Sequence, residues 1–391
     1  MKKLMILGAG VYQVPLIKTA KKMGLYTIVV SIPGKYPGFA YADKNVYEDT
    51  KDFEKVLEVA KRENIDGIVT AGTDVAVVTI GKACDNLGLK GLSYEASQIA
   101  TDKNLMKKQY EKHGVRSAKY RQISLTSSDI FSELEELDYP LIFKAVDSSG
   151  SRGIVKIENS SEINEAVEIV KNVTKRDYFI VEEFLTGEEF GAQAFVLDGK
   201  IEFILPHGDY VFQGATGVPI GHWLPYEISD STLKDTYRQL QKSIEAMKLN
   251  NCAINADFML CEDGVYVLEV GGRSGATCLA EMVSIYYNYN YYEKIIQVSL
   301  GESPQMTSEN SIPSAAMLLS SDVSGVIKNQ GIKEKDDRII ELQFDYKIGD
   351  KVNAFHVGTD RIGHVIVSGE TCEIAKKNLK DILEMIKFDI E

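Results

Sequence analysis

Residues 3 to 88 repeat one rhythm, in which a short apolar run, an amphipathic stretch and a further apolar run follow one another. LMILGAG has the character of a buried strand and turn, PLIKTAKKMG of a helix closed by glycine, and YTIVVS of a second strand. The helical pattern DFEKVLEVAKRENI leads to the strand DGIVTAG and then to a further helix, VAVVTIGKACDNLG. Strands that alternate with helices pair in parallel through right-handed crossovers, so this opening implies a parallel sheet. Its Gly8-Ala9-Gly10 turn is only part of a dinucleotide fingerprint. Gln13 stands at the third glycine position, and the second strand ends in Val30 and Ser31 with no acid for a ribose. The turn therefore suits close packing of a helix on a sheet better than a nicotinamide site.

From about residue 101 the pattern changes to α+β. The helix TDKNLMKKQYEKHG precedes the strand YRQIS, an acidic helix near 127–137 and the strand YPLIFKAV. SSGSRG, the strand GIVKIE, a helix near 160–173 and the strand YFIVEEFL follow, and Asp198-Gly199 is a hairpin turn between AQAFVL and KIEFIL. A long polar loop (206–227) carries His207 and His222, and a helix near 230–248 leads to the hairpin CAINADFML–CEDG–VYVLEVGG. The tyrosine-rich run at 286–296 has helical spacing and suits packing between domains or subunits. From about 311 come several strands and a closing helix, TCEIAKKNLKDILEMIK.

Composition narrows the function. A net charge of −13 argues against nucleic-acid and anionic-membrane partners, while leaving room for a local basic pocket. No apolar stretch approaches a membrane span, and MKKLMILGAGV enters a glycine turn too soon for a signal peptide. Five scattered cysteines fit reduced thiols in the cytoplasm.

The hairpin at 252–272 places one acid on each strand. With a three-residue turn at Glu262-Asp263-Gly264, Cys261 faces Val265, Asp257 faces Glu269 and Asn255 faces Gly271. Side chains so opposed have Cβ atoms roughly 4.5–5.5 Å apart, where like charges repel. Protonation of one acid, or a cation between the two, relieves this. Oxygen ligands without His or Cys suit Mg²⁺. A looser turn would shift the register by one and separate the acids onto opposite faces.

Two further segments suit a nucleotide. Lys144 interrupts the apolar strand PLIFKAV just before SSGSRG, whose small residues let backbone N–H groups reach phosphate oxygens. The loop joins two strands and lacks GxxxxGK[ST], so it is either a hinged flap or a plain hairpin turn. Lys103 and Lys144 would bring two point charges to phosphates. IVEEFLTGEEF offers backbone groups at Glu183 and Leu185 to an adenine and Glu189 to a ribose, or else it is a solvated acidic turn.

These pieces, in this order, resemble the ATP-grasp superfamily over nearly the whole chain. The nearest resemblance is to its carbamoyl-phosphate-synthetase-like members, which include biotin carboxylase, purine-pathway ligases and L-amino-acid ligases; RIGHVIVSGETCEIA is similar to a stretch near their C-terminus. The resemblance implies an α/β chain with a Rossmann-like domain (1–100), a two-part ATP-grasp domain (101–310, its lid about 115–186) and a small C-terminal α+β domain (311–391). It implies that Lys103 and Lys144 contact ATP phosphates, and that Ser148, Ser149, Gly150, Ser151 and Gly153 belong to the lid loop. Glu182, Glu183, Phe184 and Leu185 would form the adenine linker, with Glu189 on the ribose. Asp257 and Glu269 would hold Mg²⁺, two ions in all, or Mn²⁺ in its place, and Arg273 would reach the γ-phosphate or the acceptor carboxylate. One departure stands out: the family's E-x-N-x-R is Glu269-Val270-Gly271-Gly272-Arg273 here, so the amide ligand is missing and Asn255 or water takes its part.

The implied reaction is an ADP-forming carboxylate–amine ligation. ATP phosphorylates a carboxylate, and an amine displaces phosphate from the acylphosphate, with Lys144 and Arg273 neutralising charge. An amino-acid ligase comes first, a phosphoribosylamine–glycine type of ligase second and a bicarbonate-using carboxylase third; an ATP-binding module without chemistry is the outside reading. Partners are a small carboxylate and a small amine, and a homodimer is the expected assembly. Arg361, His207 and His222 are candidates for substrate recognition.

Overall fold

The computed structural model describes residues 1–148, 152–213 and 217–391. Strands β1 (Lys3–Leu7), β2 (Tyr26–Ser31), β3 (Lys44–Tyr47) and β4 (Gly67–Val69) form a parallel sheet in the order β3-β2-β1-β4. The edge strand β3 had no sequence signal, because it is four residues long and half exposed. Helices Val14–Lys22, Phe53–Glu63 and Val77–Leu87 pack on the sheet through their apolar stripes. The glycine turn is closed by Gln13, whose Oε1 accepts from Gly10 N–H (2.9 Å) and whose Nε2 donates to Ala71 O (2.6 Å).

A second sheet, antiparallel, has the order β5-β8-β6-β7 from β5 (Tyr120–Ser124), β6 (Leu141–Lys144), β7 (Ile154–Ile157) and β8 (Tyr178–Glu183). The helix Ile163–Lys171 covers it over a core of Phe143, Phe179 and Val181. The acidic helix expected near 127–137 is only Ile130–Glu133. Asp129 caps its start, and Glu133, Glu135, Glu136 and Asp138 put like charges at adjacent helical positions, so the run continues as turns that bury Leu134 and Leu137.

The site is built on the third sheet. Its strands are β9 (Glu188–Leu197), β10 (Lys200–Val211), β11 (Pro219–Leu224), β12 (Cys252–Cys261) and β13 (Gly264–Gly271), continued by β14 (Ser314–Leu319) and later strands. After β14 come β15 (Gly325–Ile332), β16 (Ile339–Phe344), β17 (Lys351–Val352), β18 (Gly363–Ser368) and β19 (Ile386–Ile390). The eight-stranded order is β13-β12-β9-β10-β11-β14-β18-β16, and β17-β15-β19 form a small sheet beside it. The segment 206–227 is thus largely strand and not loop. Its polar residues satisfy one another across β10 and β11, so they need no solvent-facing loop. The Asp198-Gly199 hairpin forms as expected, with both φ values positive (49° and 82°). The tyrosine-rich run is split between helices Leu279–Tyr287 and Tyr291–Ser299, whose Tyr287, Tyr291 and Tyr292 join the core between the first and third sheets.

Candidate active site

Alternation on adjacent strands carries the chemistry onto one face of the third sheet. Directly paired residues share a face, which places Glu269 beside Asp257, Asp257 beside Gly191 and Gly191 beside His207 in one cross-strand row. Gly271, Asn255 and Gln193 form the next row, and Asp209 and His222 stand opposite each other two residues beyond His207. This face floors a cavity of about 930 Å³. Its rim comes from the second sheet, from the Gly72–Asp74 loop after β4 and from Arg273.

Asp257 opposes Glu269 as the sequence predicts, but by a different route. The turn has two residues, because Cys261 pairs with Gly264 and not with Val265. Gly264 adopts φ +132°, and a Cβ there would collide with the Arg116 guanidinium and the Asp235 carboxylate, which receives the Val265 N–H (2.9 Å). A β-bulge then makes Leu268 the extra residue on β13 and restores the register, so the two departures cancel at the acids. Burial and the facing Glu269 push the Asp257 carboxyl well above its ordinary range. The Lys103 ammonium holds Glu269 Oε1 (2.9 Å) and the carbonyl of Ser148 (3.1 Å). Asp102 caps the Lys103–His113 helix and so fixes where Lys103 leaves it. A pair of oxygen ligands, one driven toward protonation, is a donor set suited to a hard divalent cation.

The second sheet brings the other cations. Lys144 Nζ lies 2.9 Å from Glu182 Oε2, and Lys107, which carries no local sequence signal, lies 3.4 Å from the same oxygen and donates to Ala118 O (3.0 Å). Burial pushes the Lys107 ammonium down to about 8 against the pull of Glu182. Burial alone would raise Glu182, yet the two lysines hold it below its usual range. Glu182 therefore faces Lys144 with its side chain and is not merely linker backbone. The N–H of Glu183 is taken by Lys119 O (3.0 Å) and that of Phe184 by Pro140 O (2.9 Å). Glu183, Phe184, Leu185 and Glu189 line the cavity, as does Ser148. Gly153 is packed beneath Ala145 and Val173 and its carbonyl accepts from Ala145 N–H. Ser149, Gly150 and Ser151 lie outside the described residues.

Arg273 is clamped by an acid that sequence reasoning missed. Its Nε and one terminal nitrogen bond both oxygens of Asp74 (2.8 and 2.9 Å). Burial would raise Asp74, but the guanidinium holds it below the usual carboxylate range. Gly271 adjoins this pair: a Cβ there would lie 3.6 Å from Asp74 Oδ1. The space beside the missing asparagine is bordered by Asp74, while Asn255 Oδ1 accepts from Gln193 Nε2 (2.6 Å). His207 and His222 line the cavity and share Asp209. Arg361 does not line it; it bonds Asp345 (2.7 Å) and stacks on the Tyr12 ring.

The ATP-grasp domain family matches residues 137–281, and the family described as L-amino acid ligase C-terminal domain 2 matches residues 317–391. An alanine–anticapsin ligase of Bacillus subtilis (strain 168) is 28% identical over 245 residues, 58% of this chain and 51% of its own length. The chain thus spans about half the length of that curated relative. The crystal structure of phosphoribosylglycinamide synthetase from Anaerococcus prevotii superposes with a TM-score of 0.86 at 35% identity, covering 100% of both chains. That of an L-amino acid ligase from Bacillus licheniformis gives 0.82 at 18% identity over 100% of this chain and 99% of its own, which is a likeness of fold. With a full-length relative at this identity and the opposed acids on a hairpin over a two-sheet cavity, the chain belongs to the ATP-grasp superfamily.

Proposed function

We propose that this chain joins the carboxylate of one amino acid to the amine of a second substrate, with ATP converted to ADP and phosphate. The observation that carries the reading is the direct opposition of Asp257 and Glu269 in a cavity that also holds Lys103, Lys144 and Arg273. Phosphoryl transfer to a carboxylate needs little covalent help from a protein; it needs positioning, charge neutralisation and exclusion of water. Asp257 and Glu269 would hold Mg²⁺, two ions in all or Mn²⁺ in its place, which would neutralise the phosphate oxygens. Lys103, which bonds Glu269, would also present its charge to phosphate. Lys144, steadied by Glu182, and Lys107 behind it supply positive charge at the phosphates. Glu183 and Leu185 offer backbone groups to adenine, Phe184 lies between them, and Glu189 accepts from the ribose. Ser148 and Gly153, on either side of the undescribed residues, would border the nucleotide. Arg273, oriented by Asp74, meets the γ-phosphate or the acceptor carboxylate.

The same reading divides the chain at about residues 100 and 310, with the lid at about 115–186, and takes a homodimer as its assembly. No helix among the described residues is long and apolar enough to cross a membrane, and five cysteines without disulfides fit a reducing cytoplasm.

The likeness of residues 317–391 to an L-amino acid ligase domain favours an amino acid as the carboxylate. The full-length likeness to a phosphoribosylglycinamide synthetase favours a second reading, glycine joined to phosphoribosylamine. A phosphate-release screen with MgATP over all pairs of the common amino acids, with glycine plus phosphoribosylamine as one further well, decides between them. Release that depends on an amino-acid pair supports the first reading and release only in the last well supports the second. ATP binding without turnover in any well would leave a binding module.

A further inference from the structure

One group on the cavity floor has no part in handling phosphate. His207 and Asp209 point to the same face of β10, and Asp209 is paired with His222 across β11. Asp209 Oδ1 lies 2.8 Å from Nδ1 of His207 and 2.6 Å from Nδ1 of His222, and both rings are buried. A divalent cation bonded at about 2.0–2.1 Å to three such donors would hold them about 3.3 Å apart. The observed spacing is that of hydrogen bonds.

The neighbouring amide fixes the protons. Gln193 Oε1 accepts from Gly275 N–H (2.9 Å), so its Nε2 faces Asn255 Oδ1 (2.6 Å) and His207 Nε2 (3.4 Å). An amide nitrogen can only donate, so His207 Nε2 carries a lone pair and its Nδ1–H is given to Asp209. Asp209 Oδ1 accepts from His222 Nδ1–H in the same way. His222 Nε2 is then left with a lone pair, has no partner among the described residues, and belongs to a ring that lines the cavity. The carboxylate behind one nitrogen and an open lone pair on the other is the arrangement of an oriented imidazole base.

We propose that His222 is the general base that deprotonates the incoming ammonium group in the second half-reaction, an assignment that rests on the ligase reading above. An amine at neutral pH arrives as –NH₃⁺ and has no lone pair for attack. His222 Nε2 takes the first proton. The freed amine nitrogen bonds to the acyl carbon, the bond from that carbon to the phosphate oxygen breaks, and the second proton leaves with phosphate. His222 then returns its proton to solvent. The positive charge that His222 gains in the middle of this sequence falls beside Asp209, which makes Asp209 and His207 positioning residues. Ionisable groups on the same face are Asp209 and His207 on β10, Glu189 on β9, Asp257 on β12 and Glu269 on β13, while β14 on the other side offers Ala316. Burial, against Asp209, holds the His222 imidazole below its ordinary range, so it enters the reaction neutral.

Hydroxylamine tests this, because it is a weakly basic amine already unprotonated at neutral pH and needs no base. The intact chain and His222→Gln are compared with MgATP and an equimolar mixture of the common amino acids, with and without hydroxylamine, while amide, hydroxamate and ADP are followed. The ratio of amide to hydroxamate is expected to fall by roughly 10²–10⁴-fold in His222→Gln, with the low-pH limb of the amide rate profile removed and partial rescue by added imidazole. An unchanged ratio would overturn the assignment. So would hydroxamate without any amide from the intact chain, or a Co²⁺ absorption band from the chelator-treated intact chain that His222→Gln abolishes. No ATP turnover with either nucleophile would instead remove the ligase reading itself. Thermal melting and MgADP binding of His222→Gln separate a folding failure from a chemical one, and Asp209→Asn should shift the amide rate profile in pH while leaving MgADP affinity in place.

Discussion

At one end of the cavity floor Asp257 and Glu269 face each other on β12 and β13, and of these two acids the Lys103 ammonium bonds Glu269. At the other end Asp209 on β10 is met by two imidazoles. The two ends stand on one sheet face and obey the same alternation, yet they treat a buried carboxylate in opposite ways. Asp209 has its partners built in and is held far below the usual carboxylate range by His222 and His207 despite burial. Asp257 has no hydrogen-bonded cation among the described residues and is driven upward by burial and by Glu269, against Arg273. On the function proposed above, an acid left short of counter-charge suits a cation that comes and goes with substrate, whereas an acid with resident imidazoles suits a proton circuit.

The largest effect that would break this contrast is expected from Glu269→Gln. Removing the charge should lower ATP turnover by on the order of 10³-fold while the melting temperature holds, because the carboxylate would act only on the phosphoryl group. Turnover near that of the intact chain would mean that the acid pair carries no cation. Lys144→Ala should weaken MgATP binding by roughly 10–100-fold, as expected for a charge-assisted contact; calorimetry that finds the affinity unchanged would confine Lys144 to its pairing with Glu182. Gly191 lies between the two ends, and a Cβ there would overlap the His207 ring. Gly191→Ala should cost about 1–3 kcal/mol in urea unfolding and loosen the imidazole end only. Loss of cation binding in that variant would show that the two ends are coupled.

The smallest effect concerns the clamp on the hairpin. The Asp235 carboxylate is held down to about 2 by the Val265 N–H, Arg238 and Arg116, against burial. Its folded-state value lies below its unfolded one, so its contribution is present above about pH 4 and disappears as pH falls toward about 2. Asp235→Asn should cost roughly 1–2 kcal/mol at neutral pH and nearly nothing at pH 2, read from denaturant midpoints at both values. A cost that persists at pH 2 would assign the effect to packing at the turn.

What could be read from the sequence was what short-range rules govern. The parallel opening and the helices at 103–113 and 230–247 follow from period and capping chemistry. The hairpin was right at the acids but wrong at the turn, since alternation fixes which side a residue faces and does not reveal a bulge at Leu268. The strands β10 and β11 looked like loop because their polar residues are paired with each other across the ladder. Asp74 and Lys107 carried no local mark at all. One is brought to Arg273 from 199 residues away and the other is defined by its burial beside Glu182, and both are facts of the assembled chain.

The pairing of β11 with β14 has a mechanical result. His222 sits opposite Ala316 in a ladder of four registered pairs, so the strand that carries it is an interior strand only because the C-terminal segment lies alongside. A chain cut before Ser314 would turn β11 into an open edge, with its outward N–H and C=O groups bare and free to fray or to recruit a foreign strand. The acids on β12 and β13 lie three and four strands away from that edge and would keep their neighbours. Such a truncated chain is expected to grip nucleotide and still be unable to hand the acyl group to an amine.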